Sequence, residues 1–226
     1  MSAAAIVFSK APVAGLAKTR LIPALGAAGA ARLAEQLLEH ALQAAIEAGF
    51  DAVELCVTPD VDHPAFHRLG ARHDCHGLAV TLQGEGDLGA RMSRALSRVL
   101  RSHSCAILIG TDAPALDAAR LAAARDALND HDAVFVPALD GGYALVGLRR
   151  PVPELFAGVA WSSAQVMAQT RARASAAGLR WCELAPVADI DEPRDLVHLP
   201  ATWPMPFGSA CCDVAAATAR SPTLKD

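Results

Sequence analysis

The sequence predicts a single α/β domain in which a mostly parallel, mixed sheet is flanked by helices. Short apolar runs alternate with longer amphipathic segments along the chain, which is the pattern of repeated strand–helix–strand units. Apolar residues make up 53% of the 226 residues and aromatic residues only 4%. A core of this composition is aliphatic and alanine-rich, which suits helices packed on a sheet better than an aromatic sandwich of two sheets.

The first half of the chain is predicted to hold three strands and two helices. The strands are residues 3–8, 52–57 and 78–82, and the helices are residues 29–48 and 88–100. The first helix carries an apolar stripe that includes Leu38 and Leu42, and Gly49 supplies its stop signal. The second helix is amphipathic, with arginines opposite its apolar face. Both helices are therefore expected to pack on the sheet.

The second half continues the same alternation. The predicted strands are Cys105–Ile109, 133–136, Tyr143–Leu148 and 181–184, and the predicted helices are 118–128 and 163–177. The run Cys105–Ile109 (CAILI) is continuously apolar, as expected of a central strand that is covered on both faces. An Asp-Gly pair at Asp140 joins two of the strands and predicts a hairpin.

The sequence also limits the domain organisation and the partners. Residues 1–199 form the predicted domain, and residues 200–226 form an irregular tail because they lack periodicity. No segment reaches the roughly 18 apolar residues that cross a bilayer, and a net charge of −4 argues against nucleic acid as a partner. The six cysteines show no CxxC spacing and no signal peptide is recognisable, so we expect a cytoplasmic protein. The sequence leaves a homodimer open.

A cationic loop directly follows the first predicted strand. It places Lys10, Gly15, Lys18 and Arg20 within a short stretch of a chain that is acidic overall. Lysine as a point charge, arginine as a fork and glycine for close backbone approach are what a phosphate requires. The loop has neither the Gly-Lys-Ser/Thr ending of a Walker P-loop nor the GxGxxG pattern of a Rossmann fold. The alternative interpretation is a solvated basic loop without a ligand.

Two acidic segments are placed to hold a metal ion. Asp112 follows the CAILI strand, where a carboxylate can hold Mg²⁺ or Mn²⁺ against a diphosphate. Its alternative role is that of a turn residue, with Asp117 capping the next helix. Asp191 lies in the segment DIDEPRDL, which also fits a helix start with an acidic cap and a proline in the first turn. That geometry does not prevent Asp191 from facing a metal.

Glycine-rich segments supply the remaining candidate contacts. Gly89 and Arg91 lie at the entry to the helix at residues 88–100, a position that can contact an anion or a base. Gly141 and Gly142 would let a ligand approach the backbone, although the hairpin accounts for Asp140 itself.

Six segments in this order resemble a known family. They are FSKAPVAGLAKTRL, GDLGARM, LIGTDAP, PALDGGYALVGL, FAGVAWSS and DIDEPRDL. Together they cover the chain from about Ile6 to Leu196 and resemble a bacterial family of glycosyltransferases without an assigned function, in the nucleotide-diphospho-sugar transferase (GT-A) superfamily. Some of its members are labelled arsenosugar-biosynthesis glycosyltransferases. Phospholactate guanylyltransferase and molybdenum-cofactor guanylyltransferase are similar at a greater distance.

The resemblance implies a GT-A fold that binds a nucleotide at the carboxyl ends of the first strands. Asp112 matches the metal-binding acid of the superfamily, and Asp191 matches the second acid of its downstream motif. The sequence departs from the superfamily pattern in three ways: Glu192 stands where threonine is usual, Asp112 replaces a full DxD, and the first loop lacks a glycine-rich LAGGxGxRM segment.

The expected activity is metal-dependent transfer from a nucleotide-activated donor to a small-molecule acceptor. Asp112 and Lys18 are the expected catalytic residues, and Mg²⁺ or Mn²⁺ is the expected cofactor. A glycosyltransferase with a nucleotide-sugar donor is favoured because the glycine-rich loop of typical nucleotidyltransferases is missing. A guanylyltransferase-like nucleotidyltransferase and a non-catalytic nucleotide-binding protein are the alternatives.

Overall fold

The computed structural model describes residues 2–73 and 77–203, and this part of the chain forms a seven-stranded sheet flanked by helices. In chain order the elements are β1 (Ala3–Lys10), α1 (Ile22–Glu47), β2 (Ala52–Thr58), α2 (Pro64–His73), β3 (Ala79–Leu82), α3 (Leu88–Val99), β4 (Cys105–Ile109), α4 (Ala118–Ala127), β5 (Ala133–Pro137), β6 (Tyr143–Leu148), α5 (Val166–Ala176) and β7 (Trp181–Glu183). Short 3₁₀ turns lie at Thr19–Leu21, Pro153–Leu155 and Pro193–His198.

The sheet is mixed, with the strand order β3-β2-β1-β4-β6-β5-β7. β1 is parallel to β2 and β4, β3 is parallel to β2, and β7 is parallel to β5. β6 is antiparallel to both of its neighbours, β4 and β5. The predicted α/β fold with a mostly parallel sheet is confirmed. The hairpin between β5 and β6 brings the start of β6 to the edge where the parallel strands end.

Both faces of the sheet are covered, as the continuous apolar strands predict. Along β1, Ala5 and Val7 join the cluster beneath α1 and α4, whereas Ala4 and Ile6 join the cluster beneath α3 and α5. Alternate residues of a strand point to opposite faces, so a strand covered on both sides is apolar throughout. None of the helices in the described part of the chain combines the length and the apolar character needed to cross a bilayer.

A third, smaller apolar cluster joins three distant parts of the chain. Its buried members are Leu21, Ala30, Leu33, Leu37 and Ile190. They come from the 3₁₀ turn at Thr19–Leu21, from α1 and from the segment before the last 3₁₀ turn. The cluster therefore fixes the cationic loop against the DIDEPRDL segment.

The structure corrects several predicted boundaries. It contains α2, a helix that the sequence analysis missed and that buries Phe66 and Leu69. α1 begins at Ile22 rather than at residue 29, with Pro23 in its first turn, but Gly26 is not helical (φ 68°, ψ 163°), so a kink separates residues 22–25 from the main helix. α5 begins at Val166 instead of residue 163. Most of the predicted tail, residues 204–226, lies outside the described residues.

Candidate active site

A cavity of about 740 Å³ opens at the edge of the sheet where β1 and β4 end and β6 begins. Its walls include Lys10 from β1, Tyr143 from β6, and the loops that follow β1, β4 and β5. Ligands of open α/β sheets bind outside the carboxyl ends of the strands. The volume falls within the range of pockets that hold small molecules and cofactors.

Lys18 lies at the centre of an ion-pair cluster in this wall. Its Nζ is 2.7 Å from Asp112 Oδ1 and 3.0 Å from Asp191 Oδ1, and it donates a hydrogen bond of 2.5 Å to the carbonyl oxygen of Ile190. The Lys18 side chain is only 8% exposed, whereas the side chains of Asp112 and Asp191 are 48% and 42% exposed. The interpretation of the loop as a solvated basic stretch is therefore wrong for Lys18.

The electrostatic balance keeps Lys18 protonated. Burial alone would lower its pKa, but the charges and hydrogen bonds of Asp112 and Asp191 outweigh burial and leave the pKa of Lys18 raised. The cluster thus holds a protonated ammonium group against the side chains of Asp112 and Asp191. Its carboxylates keep a solvent-facing side that a further cation can reach.

Long-range contacts hold this cluster in place. β4 delivers Asp112 to the end of a fully buried strand, and the backbone carbonyl of Asp112 accepts a 2.8 Å hydrogen bond from the amide of Ile190. Ile190 is itself fully buried in the third apolar cluster, together with Leu21. Lys18 has a left-handed backbone, with φ of 48°, which turns the chain just before the 3₁₀ turn that contains Leu21. Packing thus sets the distance between Lys18 and both carboxylates.

Asp191 does not cap the last 3₁₀ turn. Glu192 is the N-cap residue, and it forms a capping box with Asp195, whose Oδ2 accepts the Glu192 amide at 2.7 Å. The predicted acidic cap and first-turn proline are present. Because Glu192 takes the capping role, the Asp191 carboxylate is left to pair with Lys18.

The other predicted cations line the same cavity. Lys10 is exposed at the end of β1, and Arg20 is 71% exposed with its Nη1 3.9 Å from Glu192. Arg91 donates from Nη1 to Gln83 Oε1 at 3.0 Å. Lys10 and Arg20 therefore fit the description of a solvated loop but still face the cavity.

The predicted glycines divide into two groups. Gly142 lines the cavity, whereas Gly15, Gly89 and Gly141 are not part of its wall. A Cβ added to Gly89 would lie 2.6 Å from the carbonyl oxygen of Phe156, and one added to Gly141 would lie 2.3 Å from that of Ala164. The structure therefore gives Gly89 and Gly141 a packing role, and it gives Gly15, with φ of 83°, a turn role.

Several wall residues were not selected from the sequence. Gln83 is buried and donates from Nε2 to the carbonyl oxygens of Ser9 (3.0 Å) and Cys56 (3.2 Å). Tyr143, Trp161 and Asp189 also line the cavity. Trp161 lies in the segment FAGVAWSS and Asp189 in DIDEPRDL. Both segments carry the family resemblance, and this membership is the sequence feature that could have identified the two residues.

Two further carboxylates extend the acidic side of the wall. Asp189 and Asp140 line the cavity alongside Asp112 and Asp191. Partial burial raises the pKa of Asp189, and the nearby charges of Asp140, Asp191 and Asp112 raise it further. Burial is the larger cause of the raised pKa of Asp189, and the neighbouring carboxylates add to it.

The side chains present fit a divalent metal of the Mg²⁺ type. The described residues contain no group of three or more side chains placed to ligate one ion. Asp112 and Asp191 nevertheless supply two adjacent, partly exposed carboxylates. Mg²⁺ commonly binds one or two carboxylates, completing its shell with water and substrate phosphate. Two hard oxygen ligands beside a cationic loop meet that requirement.

Fold and site together define an α/β protein of the nucleotide-diphospho-sugar transferase type. The chain belongs to the family DUF2064, described as an uncharacterized protein conserved in bacteria, which matches residues 32–163. None of the curated proteins matches the chain significantly.

Solved structures share this fold across most of the chain. A protein of Desulfovibrio desulfuricans G20, provisionally named a nucleotide-diphospho-sugar transferase, is 29% identical with a TM-score of 0.77, covering 87% of this chain and 85% of its own. Rv0371c of Mycobacterium tuberculosis H37Rv, in complex with manganese, is 19% identical with a TM-score of 0.55, covering 90% and 100%.

A third structure, 4-diphosphocytidyl-2C-methyl-D-erythritol synthase of Anaerococcus prevotii DSM 20548, is 10% identical with a TM-score of 0.60, covering 87% and 93%. At these identities the second and third structures show the fold alone. The likeness to the D. desulfuricans protein places the chain in the transferase class.

Proposed function

We propose that this chain is a metal-dependent transferase that uses a nucleotide-activated donor, and that the donor is a nucleotide sugar. The observation that carries the proposal is the buried Lys18 ammonium, held between Asp112 and Asp191 in the wall of a cavity of about 740 Å³. A fixed cation beside two partly exposed carboxylates is suited to hold a diphosphate and its metal.

The cations of the loop would stabilise the leaving group. Negative charge builds on the diphosphate as its bond to the transferred group breaks, and preorganised cations lower the energy of that transition state. Lys18 is already oriented by two carboxylates and a carbonyl oxygen. Lys10 and Arg20 are exposed and can turn towards phosphate oxygens. Lys18 would therefore position the diphosphate, and Lys10 and Arg20 would contact its remaining oxygens.

Asp112 and Asp191 are the residues that would hold Mg²⁺ or Mn²⁺. When bound, such an ion offsets charge on the diphosphate and orients it. The two carboxylates belong to segments joined by the Ile190–Asp112 backbone hydrogen bond, so their spacing is set before any ion binds. Lys18 neutralises part of their mutual repulsion.

Nucleotidyl transfer is the second candidate. The same cations would serve a pyrophosphate leaving group as well as a nucleoside diphosphate. The loop after β1 contains a single glycine, Gly15, and that residue is outside the cavity wall. The loop thus lacks the glycine-rich backbone cradle of typical nucleotidyltransferases, which favours glycosyl transfer.

A thermal-shift panel of nucleoside triphosphates and nucleotide sugars, with and without Mg²⁺ or Mn²⁺, tests the proposal. A ligand at about 100 times its Kd adds roughly 2.7 kcal/mol to the free energy of unfolding. Lys18→Ala should lose most of the shift, whereas Arg101→Ala, which removes an exposed cation outside the cavity wall, should keep it. A flat panel for every base and both metals would reject nucleotide use. Binding without turnover across a broad acceptor screen would favour a non-catalytic nucleotide-binding protein.

A further inference from the structure

The wall of the cavity is divided by charge. Its lysines and arginines all come from the loop after β1, the end of β1 itself, or α3, the helix that follows β3: Lys10, Lys18, Arg20 and Arg91. Its carboxylates all follow β4, β5 or β7: Asp112, Asp140, Asp189 and Asp191. Within residues 2–73 and 77–203, the second side contributes no lysine or arginine to the wall. Sheet order therefore defines a cationic half and an acidic half, and the two halves meet where Lys18 pairs with Asp112 and Asp191.

Lys18 compensates only part of the acidic half. It pairs with Asp112 and Asp191. Asp140 and Asp189 have no ion-pair partner among the residues that the structure describes; Asp140 Oδ1 instead accepts the amide of Gly142 at 2.7 Å. An anionic group entering beside either carboxylate would be disfavoured by roughly tenfold for each one it approaches.

Aromatic and hydroxyl side chains form the rest of this half. The rings of Tyr143 and Trp161 meet edge to face, with centroids 6.4 Å apart, and Ser162 and Ser163 lie beside them in the wall. Trp161 Nε1 is buried and has no hydrogen-bond partner in the described part of the chain. The contact of Tyr143 Oη is a 4.0 Å approach to Met92 Sδ, a weak acceptor. The Nε1 edge of Trp161 packs against Gly89, so Tyr143 and Trp161 form the aromatic part of this wall.

The ionisation of Tyr143 does not alter this picture. Burial raises the pKa of Tyr143 far above that of an ordinary tyrosine, so its hydroxyl stays neutral and can donate at any physiological pH.

Ser162 has a left-handed backbone, with φ of 60°. Backbone strain of this kind persists where the surrounding structure holds it, often at ligand sites.

We propose that Asp140 and Asp189, the two carboxylates of the acidic half that are not assigned to the metal, bind the acceptor, and that the acceptor is an uncharged small molecule bearing hydroxyl groups. Its hydroxyls can donate to the carboxylates of Asp140 and Asp189, and the Ser162 hydroxyl in the same wall can donate to its oxygens. A phosphorylated or carboxylated acceptor would meet two uncompensated carboxylates and no cation of its own. This inference rests on the proposed function, because it assigns the donor diphosphate to the cationic half. It favours transfer to a hydroxyl oxygen over transfer to a phosphate oxygen.

The test uses matched pairs that differ by one phosphate: glucose with glucose 6-phosphate, and glycerol with glycerol 3-phosphate. The indole N–H of Trp161, one of three tryptophans in the chain, reports binding by ¹⁵N NMR once Trp161→Phe has assigned it. The uncharged member should shift this resonance with a Kd at least about tenfold below that of its phosphate. Equal or tighter binding of the phosphates, or no shift with any of the four compounds, would overturn the proposal.

Two variants test the role of charge. Asp140→Asn keeps an oxygen that can accept the Gly142 amide, so the turn should survive while the charge is lost. In Asp140→Asn, the ratio of the Kd of each phosphate to the Kd of its uncharged partner should fall about fivefold. Asp130→Asn removes an exposed carboxylate outside the cavity wall and should change nothing. If Asp140→Asn and Asp130→Asn prefer the uncharged compounds to the same extent, the Asp140 charge does not exclude phosphates and the proposal is overturned.

Titration calorimetry of nucleotides into the same samples separates the two proposals. Absence of nucleotide binding rejects the proposed function, while the Trp161 resonance of the free protein still ranks the four compounds. Nucleotide binding together with a preference for phosphorylated acceptors leaves the proposed function standing and rejects the acceptor class.

Discussion

Among the ion pairs of the described residues, the Arg98 cluster and the Lys18 cluster both place a cation against carboxylate oxygens, and they are built differently. In the cluster between β2, β3 and α3, the Arg98 guanidinium contacts the Glu54 carboxylate and lies 3.1 Å from Thr81 Oγ1. The Thr81 hydroxyl also donates to Glu54 Oε1 at 2.7 Å. Glu54 is only 12% exposed, and neither Arg98 nor Glu54 is in the cavity wall. The Lys18 cluster instead buries its cation and leaves its carboxylates half exposed.

The difference separates a structural ion pair from one that is available to a ligand. In the Arg98 cluster, protein donors satisfy the buried carboxylate, so there is nothing for a ligand to add. In the Lys18 cluster, the carboxylates of Asp112 and Asp191 keep accessible oxygens on a cavity wall. The candidate site is therefore distinguished by the exposure of its carboxylates to the cavity and not by the burial of its lysine.

The largest effect on stability is expected for Arg98→Met. This change leaves the Glu54 carboxylate largely buried without its cation, and an unpaired buried charge costs about 3 kcal/mol of unfolding free energy. Urea denaturation measures the loss, and Arg101→Ala is the matched control. Nucleotide affinity should stay unchanged, because Arg98 is outside the cavity wall. A loss below about 1 kcal/mol would show that the Arg98 cluster is as tolerant as a surface pair.

The elements of the fold were largely predictable, and the exceptions have physical causes. The run Cys105–Ile109 and the Asp140 turn matched because a buried strand and a hairpin carry local signals. α2 was missed although Pro64 and the spacing of Phe66 and Leu69 are helix signals, because these two are the only large apolar residues in a segment of 10 residues. The place of β6 between β4 and β5 depends on sheet pairing, which no local pattern encodes.

For the site, the sequence supplied the residue types but not their environment. Lys18, Asp112 and Asp191 were named as candidates, and the structure brings all three together. The burial of Lys18 could not be predicted, because it depends on contacts with Ile190, far along the chain. Likewise, no local pattern shows that Gly89 faces Trp161, so its packing role was hidden.

Lys18→Ala should separate binding from stability. A charge-assisted bond to phosphate is worth about 1.5–3 kcal/mol, so nucleotide affinity should fall roughly 10- to 150-fold. The free energy of unfolding should fall by about 1–2 kcal/mol, less than for Arg98→Met, because the Ile190 carbonyl oxygen loses its donor while the partly exposed Asp112 and Asp191 can be hydrated. Calorimetry and urea denaturation measure the two quantities. Loss of stability without loss of affinity would make Lys18 a structural residue like Arg98.

Arg20→Ala tests the exposed part of the same loop. Its side chain is 71% exposed, so the fold should be unaffected, and affinity should fall less than in Lys18→Ala. A decrease of roughly three- to tenfold is expected for a mobile cation that must be ordered on binding. Parallel titrations of the two variants with one nucleotide give the ranking. Unchanged nucleotide affinity in both Lys18→Ala and Arg20→Ala would show that the loop does not bind the nucleotide.

The smallest effect is expected at an exposed ion pair, that of Arg171 and Glu183. Hydrogen bonds from Arg171, at 2.7 and 2.8 Å, lower the pKa of Glu183 against the opposing effect of burial. The pair therefore stabilises the fold above the ordinary glutamate pKa, and this contribution is lost as pH falls through the lowered pKa. Solvent screening limits it, so Glu183→Gln should cost less than about 1 kcal/mol at pH 7. Denaturation at pH 7 and pH 3 should show the difference shrinking; a constant difference would contradict the pKa direction.

The metal-binding role of the Lys18 cluster is the central claim. Asp112→Asn keeps the size of the side chain but removes the charge that a hard cation requires. Asp191→Asn should behave in the same way, because Glu192 rather than Asp191 caps the last 3₁₀ turn. Both variants should melt near the wild-type temperature without metal, since both carboxylates are partly exposed.

The most direct measurement is calorimetric titration of nucleotide into wild-type protein and Asp112→Asn, each with and without Mg²⁺. In the wild type, the metal should tighten binding by at least about tenfold, equivalent to roughly 1.4 kcal/mol. In Asp112→Asn this coupling should nearly vanish, while metal-free nucleotide binding persists through the cations. Metal coupling of equal size in both proteins would contradict the assignment of Asp112.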